Sequence, residues 1–282
     1  MIEGYIEQLM ELSQQAIAQI VAERQEGGLR RSLRDIAIVA WRNILIDLRN
    51  PAEVLVATAF SISLLCVFTA SFAKVINPGG GFTEYAQFLL PFTIVQGLLF
   101  NTVNIGIAFY SDLDSGMDAR LRSMPISRFS AVGGRLVSAG ARLLFQVLGS
   151  VLAAHVLGFR FSGGILGAIG FCLLPVVFTL SIALISLYIA TGAKSSETIS
   201  AVVNPWILPL TFLSVGYVPK EGFPDWIVGF VVRNPVSIAS EAMRRLAAGE
   251  SAVAPVMTTL AWSLSLFLLF GWLTLKAYRK RL

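Results

Sequence analysis

The chain has 282 residues, of which 55% are hydrophobic and 14% are charged. Because a soluble domain carries about a quarter charged residues, this composition excludes an ordinary soluble enzyme and predicts a membrane protein. The net charge is +5, and the position of the charges along the chain carries more information than their sum.

Two amphipathic helices are predicted before the first long apolar run. Residues 1–25 place apolar side chains on one helical stripe, which favours a helix packed on a neighbour or lying at the headgroups; docking or dimerisation is the alternative. From Leu33 to Leu48 the apolar residues again form one stripe, with arginines between them. This pattern is typical of a helix in the membrane interface, and Asn50-Pro51 ends it.

Six apolar stretches follow, each predicted to cross a membrane. The first has 19 residues, about 28 Å of helix at ~1.5 Å per residue, which is enough to cross the hydrocarbon core. The predicted spans are 54–72, 87–109, 141–159, 165–190, 199–215 and 256–275. Before the last span, Phe223 to Val232 is apolar but too short to cross, so it is predicted to re-enter or to pack on the surface. The predicted domains are therefore cytoplasmic or interfacial helices over 1–50 and a transmembrane domain over 51–282.

The distribution of Lys and Arg predicts the orientation of this bundle. With six spans, 14 of the 22 basic residues fall on the side of both termini and of the loop after the second span, and 6 fall on the other side. The positive-inside rule therefore predicts a multi-pass membrane protein with both termini in the cytoplasm.

The longest charged run, Ser111 to Arg128, lies between the second and third spans. It must leave the hydrocarbon, because its charges and free backbone groups cannot be satisfied there. Asp114-Ser115-Gly116 is interpreted as a helix entry, Met117 to Met124 has helical composition, and Pro125 ends the helix. A short cytoplasmic helix in this place suits docking of a soluble partner; a solvated turn is the alternative.

Short motifs in this run and beyond it resemble one family of membrane proteins. They are Asp112-Leu113, Gly116, Arg120 to Arg128, Gly134-Arg135, Phe88 to Pro91, Val95-Gln96, Phe212 to Ser214, Val218-Pro219, Pro224 to Trp226, Asn234 to Ser237, Glu241 to Arg244 and Gly249. In this order they are similar to ABC-2 type exporter permeases, in particular to the daunorubicin/doxorubicin-resistance type of membrane subunit.

The resemblance implies an all-α membrane protein with an ABC-2 type permease fold. The expected features are six transmembrane helices, an interfacial N-terminal helix, a cytoplasmic coupling helix between spans 2 and 3, and short re-entrant outer helices before span 6. It also implies the residues that couple the chain to an ATPase, which are Asp112, Asp114, Gly116, Arg120, Arg122, Pro125 and Arg128.

As to function, the resemblance implies the permease subunit of an ATP-driven exporter that moves lipophilic or amphipathic compounds (drug, antibiotic, secondary metabolite or lipid) out across the plasma membrane. The expected partners are two copies of a separate ABC ATPase subunit, which bind ATP and Mg, a second permease copy or a paralogue, and membrane lipids, but no nucleic acid. The alternatives are a lipid or glycan exporter of the same family, or a non-transporting membrane scaffold that recruits a soluble partner.

Catalytic motifs are not found in the sequence. A phosphate-binding loop would need a Gly-Lys dipeptide, and none occurs; HExxH and GxSxG are also absent. His155 lies alone in the third span, and Cys66 and Cys172 lie in apolar runs without metal-ligand spacing. The sequence therefore predicts no catalytic residue, no metal site and no cofactor in this chain.

Polar residues inside the spans are the remaining candidates for function. Asn101 and Asn104 share one face of the second span, and Asn204 and Thr211 share one face of the fifth. Amides in lipid need partners, so they are predicted either to bond neighbouring helices or to contact a transported molecule. The predicted route residues are Gln96, Asn101, Asn104, Asn204 and Thr211. Arg135 and Arg142, at the start of the third span, are predicted either to reach the headgroups or, for Arg135, to brace the charged loop.

Overall fold

The computed structural model describes residues 29–49, 51–76, 82–116 and 130–280. Within these ranges the chain folds into nine α-helices and one 3-10 turn at Lys220–Gly222, and it has no strand. The helices are α1 (Leu29–Arg49), α2 (Ala52–Ile76), α3 (Phe82–Asp114), α4 (Ser130–Val156), α5 (Gly164–Gly192), α6 (Ser196–Phe212), α7 (Asp225–Arg233), α8 (Pro235–Ala248) and α9 (Val253–Lys280). The predicted all-α class is confirmed.

Five helices in the described part of the chain are long and apolar enough to cross a membrane, namely α2, α3, α4, α5 and α9. The remaining predicted span corresponds to α6, which has 17 residues and contains Pro205 and Pro209. At about 1.5 Å per residue, α6 is roughly 26 Å long, slightly less than the ~30 Å core. The sixth crossing therefore stays a prediction. Two short helices, α7 and α8, lie before the last long helix, where short re-entrant outer helices are expected, and their re-entry stays a prediction.

Helix α3 is the centre of the bundle and packs against α2, α4, α5, α6 and α8. It is the most buried of the five long apolar helices, whereas α2 and α9 are the least buried. A helix that is apolar on every side belongs in an interior, and α3 has this composition over most of its 33 residues. The polar side chains of α3 are therefore held within protein for most of its length.

Helix α1 is amphipathic, as predicted, and packs along the first half of α4. Gly133 and Gly134 of α4 allow this close approach, because a Cβ at either position would press on Ile36 or Val39 of α1. Trp41 remains exposed on the other face of α1, in agreement with an interfacial position. The amphipathic helix predicted for 1–25 and the coupling helix predicted within 117–125 lie outside the described residues.

Asp114, Ser115 and Gly116 form the end of α3, whereas in the sequence they are interpreted as the entry to a helix over 117–124, which lies outside the described residues. Helix α3 continues through the start of the charged run and ends at Asp114, and Ser115 donates its backbone N–H to the carbonyl of Ser111 at 3.0 Å. Gly116 has φ +70°, the left-handed conformation with which helices commonly end and which glycine adopts without steric cost. A glycine after a run of helical residues is thus an end signal here, and the charged loop begins one turn later than predicted.

Candidate transport route

A chain of buried amides links α2, α3 and α4 near the middle of the bundle. The Nδ2 of Asn101 donates to the Oε1 of Gln146 at 3.0 Å, and the Nε2 of Gln146 donates to the carbonyl of Ala57 at 3.2 Å. Gly97 lies beside them, and a Cβ there would overlap the side chain of Ser61. Both amides are almost fully buried, so this polar group fixes how the three helices pack. The sequence allows Asn101 either to bond a neighbouring helix or to contact a transported molecule, and its surroundings favour the bond to a neighbouring helix.

Asn104 and the polar residues of α6 have different surroundings. Asn104 is exposed although it lies well inside α3, and Asn204 of α6 is half-buried. Thr211 is fully buried and donates to the carbonyls of Ile207 and Leu208 within its own helix. Among the predicted route residues of α3, Asn104 therefore has the amide that is most open to a transported molecule or a second subunit.

An ion pair links two helices at the end of the bundle that carries the charged loop. This end is here called the loop end. Arg135 at the start of α4 bonds the carboxylate of Asp112 at the end of α3, and it also donates to the carbonyl of Ala108 at 3.2 Å. The phenol of Tyr110 donates to the carbonyl of Lys194, in the turn before α6, at 2.9 Å. The two helices that flank the charged loop are therefore tied together at its base, which favours the brace function of Arg135.

Only two of the other predicted coupling residues lie in the described part of the chain. Asp114 is exposed at the end of α3, and Gly116 forms the turn after it. The residues Arg120, Arg122, Pro125 and Arg128 lie outside the described residues. Their role in coupling remains a prediction from the resemblance.

At the opposite end of the bundle, here called the far end, Asn234 joins α6 to α8. Its Oδ1 accepts the backbone N–H of Val236 at 2.9 Å and so caps α8, with Pro235 at the first helical position. Its Nδ2 donates to the carbonyls of Leu210 and Leu213 at 2.8 and 2.7 Å. The last carbonyls of a helix lack partners within that helix, and one asparagine side chain satisfies two of those at the end of α6.

Arg244 of α8 is the main cation of the far end. Its Nε donates to the carbonyl of Phe88 at 2.9 Å, and its Nη2 donates to the carbonyls of Val215 and Gly216 at 2.9 and 3.1 Å. The guanidinium also lies 3.7 Å above the ring of Phe88, a cation–π contact. Pro91 lies three residues further along α3 and has no N–H for the carbonyl of Gln87, in the same helical turn as Phe88.

Burial lowers the pKa of Arg244 to about 10, and the Glu241 carboxylate, at 3.8 Å from its Nη1, acts in the opposite direction. The guanidinium is therefore still protonated at neutral pH. It holds together α3, α8 and the turn that follows α6.

Tyr217, in the turn after α6, makes two further hydrogen bonds at the far end. Its phenol donates to the Oε1 of Gln96 at 2.6 Å, and its carbonyl accepts the phenol of Tyr85 at 2.8 Å. Burial raises the pKa of Tyr217. Gln96 is a predicted route residue, and its amide oxygen already accepts a hydrogen bond from a tyrosine in the turn after α6.

Several of these residues were missed as site residues in the sequence. Gln146 is an amide inside an apolar span, and the rule applied to Asn101 would have identified it. Asn234-Pro235 is a helix-start signal, and Arg244 belongs to a motif quoted for the resemblance, but neither pattern indicates its partner. The partners of Tyr217 and Arg244 lie 121 and 156 residues away, beyond the reach of any local pattern.

Metal ligands are not grouped in the described ranges: no three His, Cys, Asp or Glu residues there are placed to hold an ion. His155 bonds the carbonyl of Val151 at 2.9 Å and packs against Phe159 and Phe161. Its surroundings are those of a packed residue rather than a ligand.

Comparison with known proteins identifies the same family. The model of the ABC-2 type transporter family matches residues 34–247. A daunorubicin resistance ABC transporter permease protein of Streptomyces coeruleorubidus is 30% identical over 245 residues, which cover 86% of this chain and 84% of the relative. A doxorubicin resistance ABC transporter permease protein of Mycobacterium tuberculosis is 28% identical over 74% of this chain and 77% of its own length. A probable doxorubicin resistance ABC transporter permease protein of the same organism is 27% identical over 62% of this chain and 63% of its own length.

Proposed function

Because the chain belongs to the ABC-2 type transporter family, whose permease subunits work with a separate ABC ATPase subunit, we propose that it exports lipophilic or amphipathic compounds across the bacterial inner membrane. Two ATPase subunits bind ATP and Mg and supply the energy. A second copy of the permease, or a paralogue, completes the membrane part.

The observation that carries this proposal is the match over residues 34–247 together with the apolar bundle that these residues form with α9. The relatives are named as daunorubicin and doxorubicin resistance permeases, which supports a cargo of drugs or other amphipathic molecules. An apolar bundle with few polar groups suits such molecules, because it selects mainly by size and hydrophobicity.

The loop end suits a mechanical link to the ATPase. Movement of the charged loop after Gly116 reaches α3 and α4 together, because the pair of Asp112 and Arg135 ties the bases of these helices. From α3 the displacement passes to the amides at Asn101 and Gln146, and the exposed face at Asn104 changes its access. In this mechanism the chain hydrolyses no ATP itself.

The orientation is part of the proposal, with both termini and the charged loop in the cytoplasm. In a variant without the native cysteines, a membrane-impermeant thiol reagent applied to intact spheroplasts should label Gly222→Cys and not Ser115→Cys. Permeabilised cells serve as the control, since both positions should react there. Labelling of Ser115→Cys alone in intact spheroplasts would reverse the topology.

Drug accumulation in cells tests the transport activity. A drug-sensitive bacterium expressing the chain with its ATPase subunit should hold less daunorubicin at steady state than cells expressing either subunit alone. The matched control is the same pair with a catalytically dead ATPase. Equal accumulation in all strains would contradict drug export, and ATP-dependent export of a labelled phospholipid instead would place the chain among lipid exporters.

Co-purification tests the coupling site. Arg122→Glu should weaken the ATPase complex by tens- to thousands-fold, because a mismatched buried charge pair costs about 2–5 kcal/mol. Lys280→Glu, an exposed charge reversal near the C-terminus, is the control and should leave the complex intact. If Arg122→Glu keeps its ATPase and exports at the wild-type rate, the charged loop is not the coupling element.

A further inference from the structure

Tyr217 joins three helices with a single ring. The ring centroid of Tyr217 lies 4.2 Å from that of Phe68 on α2, 4.5 Å from that of Phe92 on α3 and 5.8 Å from that of Phe212 on α6. Two of these helices, α3 and α6, carry all the predicted route residues. Phe212 is 54% exposed, so this aromatic group is open on one side.

The turn that carries Tyr217 is held by side chains rather than by a helical ladder. Val215 donates its N–H to the hydroxyl of Ser237 at 3.0 Å, and the carbonyls of Val215 and Gly216 accept from Arg244. Gly216 also lets the chain pass close to Phe92, since a Cβ there would overlap the ring of that residue. A turn fixed by a few such bonds opens when those bonds exchange, without unfolding a helix.

Gln96 is the acceptor that this turn covers. It lies on α3 five residues before Asn101, is almost fully buried, and receives the phenol of Tyr217. The amide oxygen of Gln96 has two lone pairs, and a hydroxyl or amine of a transported molecule that approached from the side of the turn would replace the phenol at the one it uses. The hydrogen bond is thus a point at which cargo and turn compete.

We propose that Tyr217 is a gating residue, which closes the far end by bonding Gln96, and that Arg244 is the positioning residue that holds its turn. This inference rests on the proposed function in so far as the gate serves export. In the closed state Tyr217 lies across α2, α3 and α6; in the open state the turn moves away from α3.

A buried cysteine reports the opening of the gate without any transport assay. Ser214 is 1% exposed and lies in the same turn, so Ser214→Cys is a conservative reporter in a chain whose Cys66 and Cys172 are replaced by Ala. In membrane vesicles containing the full complex, Tyr217→Phe should raise the rate of maleimide labelling about fivefold, the effect of losing one hydrogen bond. Tyr110→Phe removes a phenol-to-carbonyl bond at the loop end of the same bundle and should leave the rate unchanged.

A double-mutant cycle ties the effect to the bond itself. Gln96→Leu should raise the labelling rate as much as Tyr217→Phe does, and the two changes together should add nothing further. The gate would be refuted if the effects of Gln96→Leu and Tyr217→Phe on the labelling rate were additive. It would also be refuted if Tyr110→Phe raised the labelling rate as much as Tyr217→Phe does.

Leak distinguishes a gate from a simple structural brace. Vesicles preloaded with daunorubicin should lose it faster, in the absence of ATP, when they carry Tyr217→Phe or Arg244→Lys than when they carry Tyr110→Phe. A brace would lower the melting temperature and the export rate without this leak, and that result would refute the gate. If labelling of the Ser214→Cys reporter behaves as expected but the wild-type complex exports no drug, the gate stands and the proposed function fails. If the wild type exports the drug and Tyr217→Phe changes neither labelling nor leak, the gate alone fails.

Discussion

Replacing Asn234 by Ala should destabilise the far end more than any other single asparagine substitution in the described part of the chain. The side chain makes three hydrogen bonds of 2.7–2.9 Å and is 3% exposed, so no water replaces the lost partners. At about 1 kcal/mol for each bond, the loss is about 3 kcal/mol. For a chain of this size that corresponds to a fall of roughly 6–12 °C in the apparent melting temperature.

Asn234→Asp separates the two roles of this residue. The carboxylate keeps the acceptor for Val236 but places negative charge against the carbonyls of Leu210 and Leu213. Because the lost donors are replaced by repulsion, Asn234→Asp should be at least as destabilised as Asn234→Ala.

Fluorescence-detected size exclusion of heated, detergent-solubilised protein measures both shifts, with the exposed Asn104→Ala as the matched control. A melting temperature for Asn234→Ala within about 2 °C of that of Asn104→Ala would refute the reasoning, since the expected fall is several times larger.

Two other substitutions test the packing and the loop end. Gly163→Ala should lower the melting temperature by several degrees, because its methyl group would overlap a backbone carbonyl of α8, whereas Gly229→Ala has open space and should cost nothing; equal melting temperatures would contradict this contact. Asp112→Asn should cost about 1–3 kcal/mol by removing the charged partner of Arg135, and the exchange of the two residues (Asp112→Arg with Arg135→Asp) should recover part of that loss, as thermal melting of the three proteins would show. An exchange variant no more stable than Asp112→Asn would exclude a direct ion pair.

Helix class and most helix positions could be predicted from the sequence, because apolar length alone requires helices in a membrane. The end of α3 could not be placed from composition: Asp114-Ser115-Gly116 fits a helix start, but a glycine with positive φ ends one. The local pattern fits both, and composition does not show that Gly116 has a positive φ.

The polar residues show where the limit lies. Asn101 and Asn104 share one helical face, yet Asn101 is buried against Gln146 and Asn104 is exposed. A face is wide enough to touch a neighbour on one edge and open space on the other, and no periodicity indicates which edge is covered. Tyr217 and Arg244 were missed for a related reason, because their partners come from helices far away in the chain.

The central claim is that this chain moves its cargo with energy supplied by another subunit. Inside-out membrane vesicles test it most directly, through the initial rate of daunorubicin uptake with and without ATP. Uptake should require the permease, an active ATPase subunit and ATP together, and it should stop when the ATPase is omitted or catalytically dead. ATP-dependent uptake by vesicles that contain the permease without any ATPase subunit would contradict the account.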